Sequence, residues 1–161
     1  MPDVVDVQTR SRMMAGIKAS HTKPEVTVRR MLHSAGYRFR LHRRDLPGSP
    51  DVVLPKYDAA IFINGCFWHG HACPLFKIPG TRPDFWAEKI QKNRDRDVRA
   101  TAALQELGWR VLTIWECALR SPRRYSEEEV LRGIIDWLNS ASNHSEIAGR
   151  GERPAVVPEA L

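Results

Sequence analysis

Interleaved helical and strand-like periodicities point to an α/β fold, a mixed β-sheet flanked by helices. Three observations support this. Apolar residues recur at helical spacing in segments near residues 23–35, 82–107 and 126–138. Short apolar or alternating runs with strand character lie between them. The two kinds of segment alternate along the chain, in the order helix, three strands, helix, strand, helix. At 161 residues with 42% hydrophobic side chains, the chain suits one domain with a real core.

Residues 1–20 are basic and polar, with Met13, Met14 and Ile17 as isolated apolar groups. They read as a short helix or arm, or as a disordered terminus. Thr22 stands three residues before Glu25, the spacing of a capping box, and Pro24 suits a first helical turn. Val28, Met31, Leu32 and Ala35 then follow at i, i+3, i+4 and i+7, and Gly36 is a natural stop. The spacing predicts a helix from about Lys23 to Ala35.

"YRFRLH" alternates apolar and basic residues and predicts a strand. "DLPGSP" is a turn by its Pro and Gly content. "DVVL" and "AAIFIN", separated by "PKYD", suit adjacent buried strands. "RPDFWAEKIQKNRDRDVRATAALQELGW" is the longest helical pattern, ending at Gly108. Trp86, Ile90, Asn93, Asp97, Ala100, Leu104 and Leu107 share one face. Asn93 and Asp97 interrupt that stripe. Either the helix passes the core edge there, or a polar site lies beneath it, because a buried Asp needs partners. "RVLTIWE" is another strand. "YSEEEVLRGIIDWL" opens with a second capping box, Ser126 to Glu129, and continues as a stripe of Val130, Leu131, Ile134, Ile135 and Leu138. From Ser140 to Leu161 the composition turns polar and aperiodic, which predicts a disordered tail.

Lys plus Arg number 25 against 19 acidic residues, a net charge of +6, and the pI is about 9.6. That balance is compatible with a polyanionic partner and equally with an ordinary basic enzyme. No stretch approaches the roughly 20 apolar residues of a membrane span, and the N-terminus lacks the apolar run of a signal peptide. A cytoplasmic location is expected, where structural disulfides are rare.

"NGCFWHGHAC" places Cys66, His71 and Cys73 close together; the remaining cysteine is Cys117. Three cysteines and one histidine would fill a tetrahedral zinc shell and leave no open position, as in a structural site. The alternative is three buried thiols. His69 is a competing ligand; if His71 binds the metal, His69 is available for other work. Asp51 follows Pro50 and opens a strand, a common way to hold a hard cation such as Mg²⁺, although most Asp residues in such dipeptides simply end turns.

The segments "TRSRMMAGI", "LPGSPDVV", "NGCFWHGHAC", "FKIPGTRPDFWAEKIQKN" and "LQELGWRVLTIWECAL" together resemble the very-short-patch-repair (Vsr) endonucleases, over about Thr9 to Leu138. The resemblance implies a PD-(D/E)XK-like, restriction-endonuclease-like fold with a structural zinc site. It implies a Mg²⁺-dependent nick beside the thymine of a T:G mismatch left by deamination of 5-methylcytosine. Domain limits follow: a DNA-contacting arm over 1–20, the endonuclease domain over 21–139 and the tail over 140–161.

Carried over by that resemblance, Asp51 is the catalytic aspartate and binds Mg²⁺ together with the backbone carbonyl of Ile63. His69 is the catalytic histidine, a general base or water-positioning group. Glu25 is the acid that supports His69, and Asn93 and Asp97 hold metal-bound water. Cys66, His71, Cys73 and Cys117 are the Zn²⁺ ligands. "IFIN" lacks the acidic-x-Lys triplet of the general nuclease motif, as the Vsr family does. Asn64 stands where the best-known members carry a histidine.

The resemblance also makes Phe67, Trp68 and Trp86 a wedge that enters the base stack from the major groove. For Trp86, on an apolar stripe, core packing is the rival reading. Met14 and Ile17 would grip from the minor groove, with Arg10, Arg12 and Lys18 on phosphates. The implied partners are mismatched duplex DNA, a DNA cytosine-5 methyltransferase by functional link, and mismatch-repair proteins; the protein would act as a monomer. Two other readings stay open: a related nuclease of a restriction or defence system cutting matched DNA, and a catalytically silent zinc-stabilised DNA-binding module.

Overall fold

The computed structural model describes residues 22–151, so the arm expected over 1–20 lies outside the described residues. The elements are α1 (Lys23–Ser34), β1 (Arg40–Leu41), β2 (Val52–Leu54), a 3-10 turn (Pro55–Tyr57), β3 (Ala59–Asn64), α2 (Pro83–Glu106), β4 (Arg110–Trp115), α3 (Cys117–Arg120), α4 (Glu127–Leu138) and β5 (His144–Ile147). The strands form one five-stranded sheet in the order β1-β2-β3-β4-β5. β1, β2 and β3 pair antiparallel, whereas β3, β4 and β5 pair parallel. The mixed sheet with helices is therefore what forms.

Alternation along β3 builds the layers. Ala59, Ile61 and Ile63 pack with Leu112 and Ile114 of β4, Val28 and Leu32 of α1, and Val130 and Ile134 of α4. Ala60, one residue out of phase, packs with Val111 and with Leu104 of α2, beside half-buried Phe62. Successive strand side chains point to opposite faces. β3 is thus covered on both faces, which is why "AAIFIN" reads as an unbroken apolar run.

The caps form as spaced. The Ser126 hydroxyl accepts from the Glu129 N–H (3.1 Å), and the Glu129 carboxylate accepts from the Ser126 N–H (3.1 Å), a complete box. At α1 only half a box forms. Thr22 accepts from the Glu25 N–H at 3.4 Å, but the Glu25 carboxylate is turned to His42. Gly108 sits at φ +90°, a left-handed position past the end of α2 that reverses the chain into β4 without strain.

The structure corrects several expectations. In "YRFRLH" only Arg40 and Leu41 are strand, because their partner β2 offers just Val53 and Val52 for pairing. Tyr37 and Phe39 still pack on the core, from a loop. The tail expected to be disordered from 140 instead contributes β5, in parallel register with β4 from Val111↔His144 to Ile114↔Ile147. Main-chain pairing needs no side-chain periodicity, so composition did not announce it. Leu107 is 63% exposed, so it ends the α2 stripe outside the core. Ala35 likewise lies exposed, one residue beyond α1.

Candidate active site and nucleic-acid interface

β3 ends at Asn64, and the chain turns sharply through Gly65 to Cys73. Backbone bonds hold the turn: His69 N–H to Gly65 carbonyl (3.3 Å), Gly70 N–H to Phe67 carbonyl (3.3 Å) and His71 N–H to Cys66 carbonyl (2.9 Å). Gly70 takes φ +62°. A Cβ there would stand 2.7 Å from Ile90 of α2, so the loop lies on that helix only because the residue is glycine.

Cys66, His71, Cys73 and Cys117 bring their ligand atoms within 4.8 Å of one another. Cys66 and Cys117 are fully buried and His71 is buried. Cys117 Sγ lies 3.5 Å from His71 Nδ1. Two donors on one tetrahedral zinc, with bonds of about 2.3 and 2.0 Å, are about 3.5 Å apart, so the spacing fits such an ion. Backbone N–H groups aim at the sulfurs, Cys117 N–H at Cys66 Sγ (3.4 Å) and Gly149 N–H at Cys117 Sγ (3.2 Å). The His71 ring stacks on Trp115, 4.2 Å between centroids and 9° from parallel.

On the other side of the loop lies an open cleft of about 1060 Å³, lined among others by Glu25, Asp51, Ile63, Trp68, His69 and Asp97. The Asp51 carboxylate accepts a hydrogen bond from the Ile63 N–H at 2.8 Å, so β2 and β3 fix it. Burial pushes the Asp51 carboxyl up to about 6; the Ile63 N–H and the nearby His42 and His69 pull it down, while the Glu25 carboxylate pushes it further up. Asp51 and the Ile63 backbone are therefore adjacent, through the Ile63 N–H rather than the carbonyl that the resemblance named.

His69 and Asp97 meet directly, Nδ1 to Oδ2 at 2.5 Å. This corrects one expectation, that Glu25 is the acid at His69. The carboxylate bonded to His69 is Asp97, reaching from α2, whereas Glu25 bonds His42 Nε2 at 3.0 Å. Asp97 is thus hydrogen-bonded to the histidine through Oδ2. The Asn93 amide donates to the Trp68 carbonyl at 2.9 Å. The polar interruption of the α2 stripe marks a polar site beneath the helix, one turn of which grips the loop.

Phe67, Trp68 and Trp86 form one half-buried aromatic group. Phe67 lies 5.1 Å from Trp68 and 5.5 Å from Trp86, and Trp68 lies 5.9 Å from Trp86, all edge-to-face. Trp86 faces the loop aromatics rather than the hydrophobic core. Sequence reasoning missed several members. Phe85, 43% exposed, packs on Trp86. Lys89 Nζ sits over the rings of Trp68 (5.6 Å) and Trp86 (5.8 Å), and Arg82 over Phe85 (4.5 Å). The alternating cations and aromatics of "RPDFWAEK" were the available signal.

Glu116 was also missed. Its N–H donates to the Asn64 carbonyl (2.9 Å), and its carboxylate accepts from the Cys66 N–H (3.4 Å) and Arg120 (3.0 Å), linking the cysteine cluster to the cleft. His42 was missed because nothing in its local spacing sets it beside Glu25. Arg10, Arg12, Met14, Ile17 and Lys18 lie outside the described residues.

Comparison with known proteins agrees with this geometry. The family model for DNA mismatch endonuclease Vsr matches residues 2–75. The chain is 44% identical over 151 residues to the DNA mismatch endonuclease Vsr of Escherichia coli, covering 94% of this chain and 97% of that protein. It is 46% identical over 136 residues to the type II nicking enzyme V.XorIIP of Xanthomonas oryzae, covering 84% of this chain and 98% of the relative. A third relative, the type II nicking enzyme V.NmeAIP of Neisseria meningitidis, is 43% identical over 121 residues, 75% of this chain and 86% of its own. The chain therefore belongs to the Vsr family of DNA mismatch endonucleases, hydrolases that act on DNA.

Proposed function

We propose that the protein is a Mg²⁺-dependent, strand-specific endonuclease of the PD-(D/E)XK type. It nicks duplex DNA 5′ to the thymine of a T:G mismatch that arises by deamination of 5-methylcytosine. One observation carries the reading: a single short loop holds both the aromatic pair Phe67–Trp68 and His69, and His69 shares its cleft with Asp51. Detection of a weak base pair and the cut beside it are then mechanically one event.

The aromatic group supplies the detection. A T:G wobble unstacks at low cost, and Phe67, Trp68 and Trp86 enter the opened step, where each stacked base is worth about 1–3 kcal/mol. Met14 and Ile17 of the arm hold the opposite groove, with Arg10, Arg12 and Lys18 on phosphates.

His69 supplies the base. With Nδ1 turned to Asp97, the neutral ring carries its proton on Nδ1 and leaves Nε2 to accept one from the attacking water. Asp97 then stabilises the imidazolium. Asp51 and the Ile63 carbonyl would hold a Mg²⁺ ion, which when bound lowers the pKa of water and stabilises the departing oxygen. Cys66, His71, Cys73 and Cys117 would hold Zn²⁺, a closed shell that stiffens the loop.

The protein works as a monomer in the cytoplasm, on DNA modified by a cytosine-5 methyltransferase, with mismatch-repair proteins downstream. No helix among the described residues is long and apolar enough to cross a membrane. The test compares T:G and T:A duplexes of one sequence, in several methyltransferase contexts, with Mg²⁺. Nicking of the T strand of T:G alone is expected. Uncut T:G in every context would sink the reading, and equal cutting of T:A would point to a restriction-type nuclease.

A further inference from the structure

His42 has no part in the reaction described above, yet it stands at the cation site. Glu25, His42 and Asp51 bring their ligand atoms within 4.8 Å of one another. They come from three elements: Glu25 from α1, His42 from the end of β1, and Asp51 from the start of β2. The frame is tight. The His42 N–H donates to the Asp51 carbonyl at 3.2 Å, and the Asp51 carboxylate is held by the Ile63 N–H.

The spacing suits a shared ion. His42 Nε2 lies 3.0 Å from Glu25 Oε2. That contact is a hydrogen bond from the Nε2–H; to ligate an ion the ring takes the Nδ1–H tautomer instead, and the 3.0 Å separation then matches that of adjacent ligands about 2.1 Å from an octahedral cation. The charge suits one as well. Glu25 is only 2% exposed and its carboxylate faces that of Asp51, so two acids share a poorly solvated corner with one imidazole. A divalent cation offsets that repulsion. The donor type then selects the ion: Mg²⁺ takes oxygen and parts with water reluctantly, whereas imidazole nitrogen favours transition metals.

We propose that His42 is a nitrogen ligand of the divalent cation in the cleft, completing a Glu25–His42–Asp51 site that binds Mn²⁺ in preference to Mg²⁺. The proposal rests on the reading of Asp51 as a cation ligand, and it adds a residue and a metal preference to it. Mg²⁺ can still use Asp51 and the Ile63 carbonyl.

The test uses the full chain with its zinc retained. Mn²⁺ binding is titrated by the loss of its free electron-spin-resonance signal, and pulsed measurements on bound Mn²⁺ look for coupling to a directly bonded ¹⁴N. The variants are His42→Gln, which keeps a hydrogen-bond donor for Glu25, His69→Gln as a control for the other imidazole, and Asp51→Ala. Nitrogen coupling is expected in the wild type and in His69→Gln and is lost in His42→Gln. His42→Gln weakens Mn²⁺ binding about ten-fold while changing Mg²⁺ binding, read by competition, by less than about two-fold.

Binding that depends on Asp51 but shows no His42-dependent nitrogen coupling overturns the proposal and leaves the cation site itself standing. Binding indifferent to Asp51→Ala overturns both, because the ion then sits elsewhere. His42-dependent coupling together with uncut T:G duplexes sustains the ligand assignment while rejecting the mismatch-nicking function.

Discussion

Asp51 and His69 face one cleft but are held there by different features of the fold. Asp51 sits where burial and the Glu25 carboxylate push its pKa up to about 6. In the absence of added divalent cation, the folded state holds this proton more tightly than the unfolded state. Its contribution to stability is full below about pH 4 and is lost as pH rises through about 6, on the order of 3 kcal/mol. Asp51→Asn cannot ionise. It is expected to abolish cutting yet melt higher than the wild type above pH 6 without added cation, by circular dichroism; an equal or lower melting temperature would contradict the assignment. His69 is held by its hydrogen bond to Asp97. Asp97→Asn removes the carboxylate that orders Nδ1 and stabilises the imidazolium. We expect kcat to fall by about 10²–10⁴ with duplex affinity unchanged, measured by single-turnover cleavage and by binding without metal.

α2 and the loop it supports behave as one unit. Within about two turns, Asn93 holds the Trp68 carbonyl and Asp97 holds His69, while Ile90 packs beneath Gly70. Gly70→Ala would put a Cβ 2.7 Å from Ile90 at a left-handed φ of +62°. The expected cost is about 2–4 kcal/mol of stability. Because the displaced segment carries both the aromatics and His69, mismatch binding and cutting should fall together. Thermal melts and binding isotherms on one preparation check this; loss of cutting alone would mean that detection and chemistry are less tightly joined. The Ser126–Glu129 cap, by contrast, closes the start of α4, and its carboxylate, which also takes Arg150 (2.6 Å), is held below the usual range mainly by the Ser126 N–H.

Across the molecule, the cysteine cluster joins parts distant in sequence. Cys117 follows β4, and its sulfur accepts the Gly149 N–H just beyond β5, while Cys66 and Cys73 bracket the loop. Arg110 does similar work at the opposite end of the sheet, donating to the carbonyls of Trp137 (2.6 Å), Leu138 (3.1 Å) and Tyr57 (3.3 Å). Metal analysis should find zinc bound by this cluster. Cys117→Ser is expected to lose it, lower the melting temperature and raise amide exchange both in residues 65–73 and in β5. A zinc-free wild type that keeps its stability would refute the closed-shell assignment.

Much of this was legible in one dimension. Capping residues and the 3.6-residue period located α1, α2 and α4, since a cap and an apolar stripe are local signals. The clustered Cys66, His71 and Cys73 announced a set of residues able to hold a metal because their spacing is short. β5 escaped detection because strand pairing is a main-chain bond to a neighbour that sequence does not show. The partnerships His69–Asp97 and Glu25–His42 escaped for the same reason: they join residues 28 and 17 positions apart, across different elements. Which carboxylate meets which histidine depends on where α1 and α2 come to rest against the sheet. Packing sets that to within an ångström, and no local pattern encodes it. The chain's own order thus determined its elements and its chemical repertoire, and the folded arrangement decided how those side chains are paired.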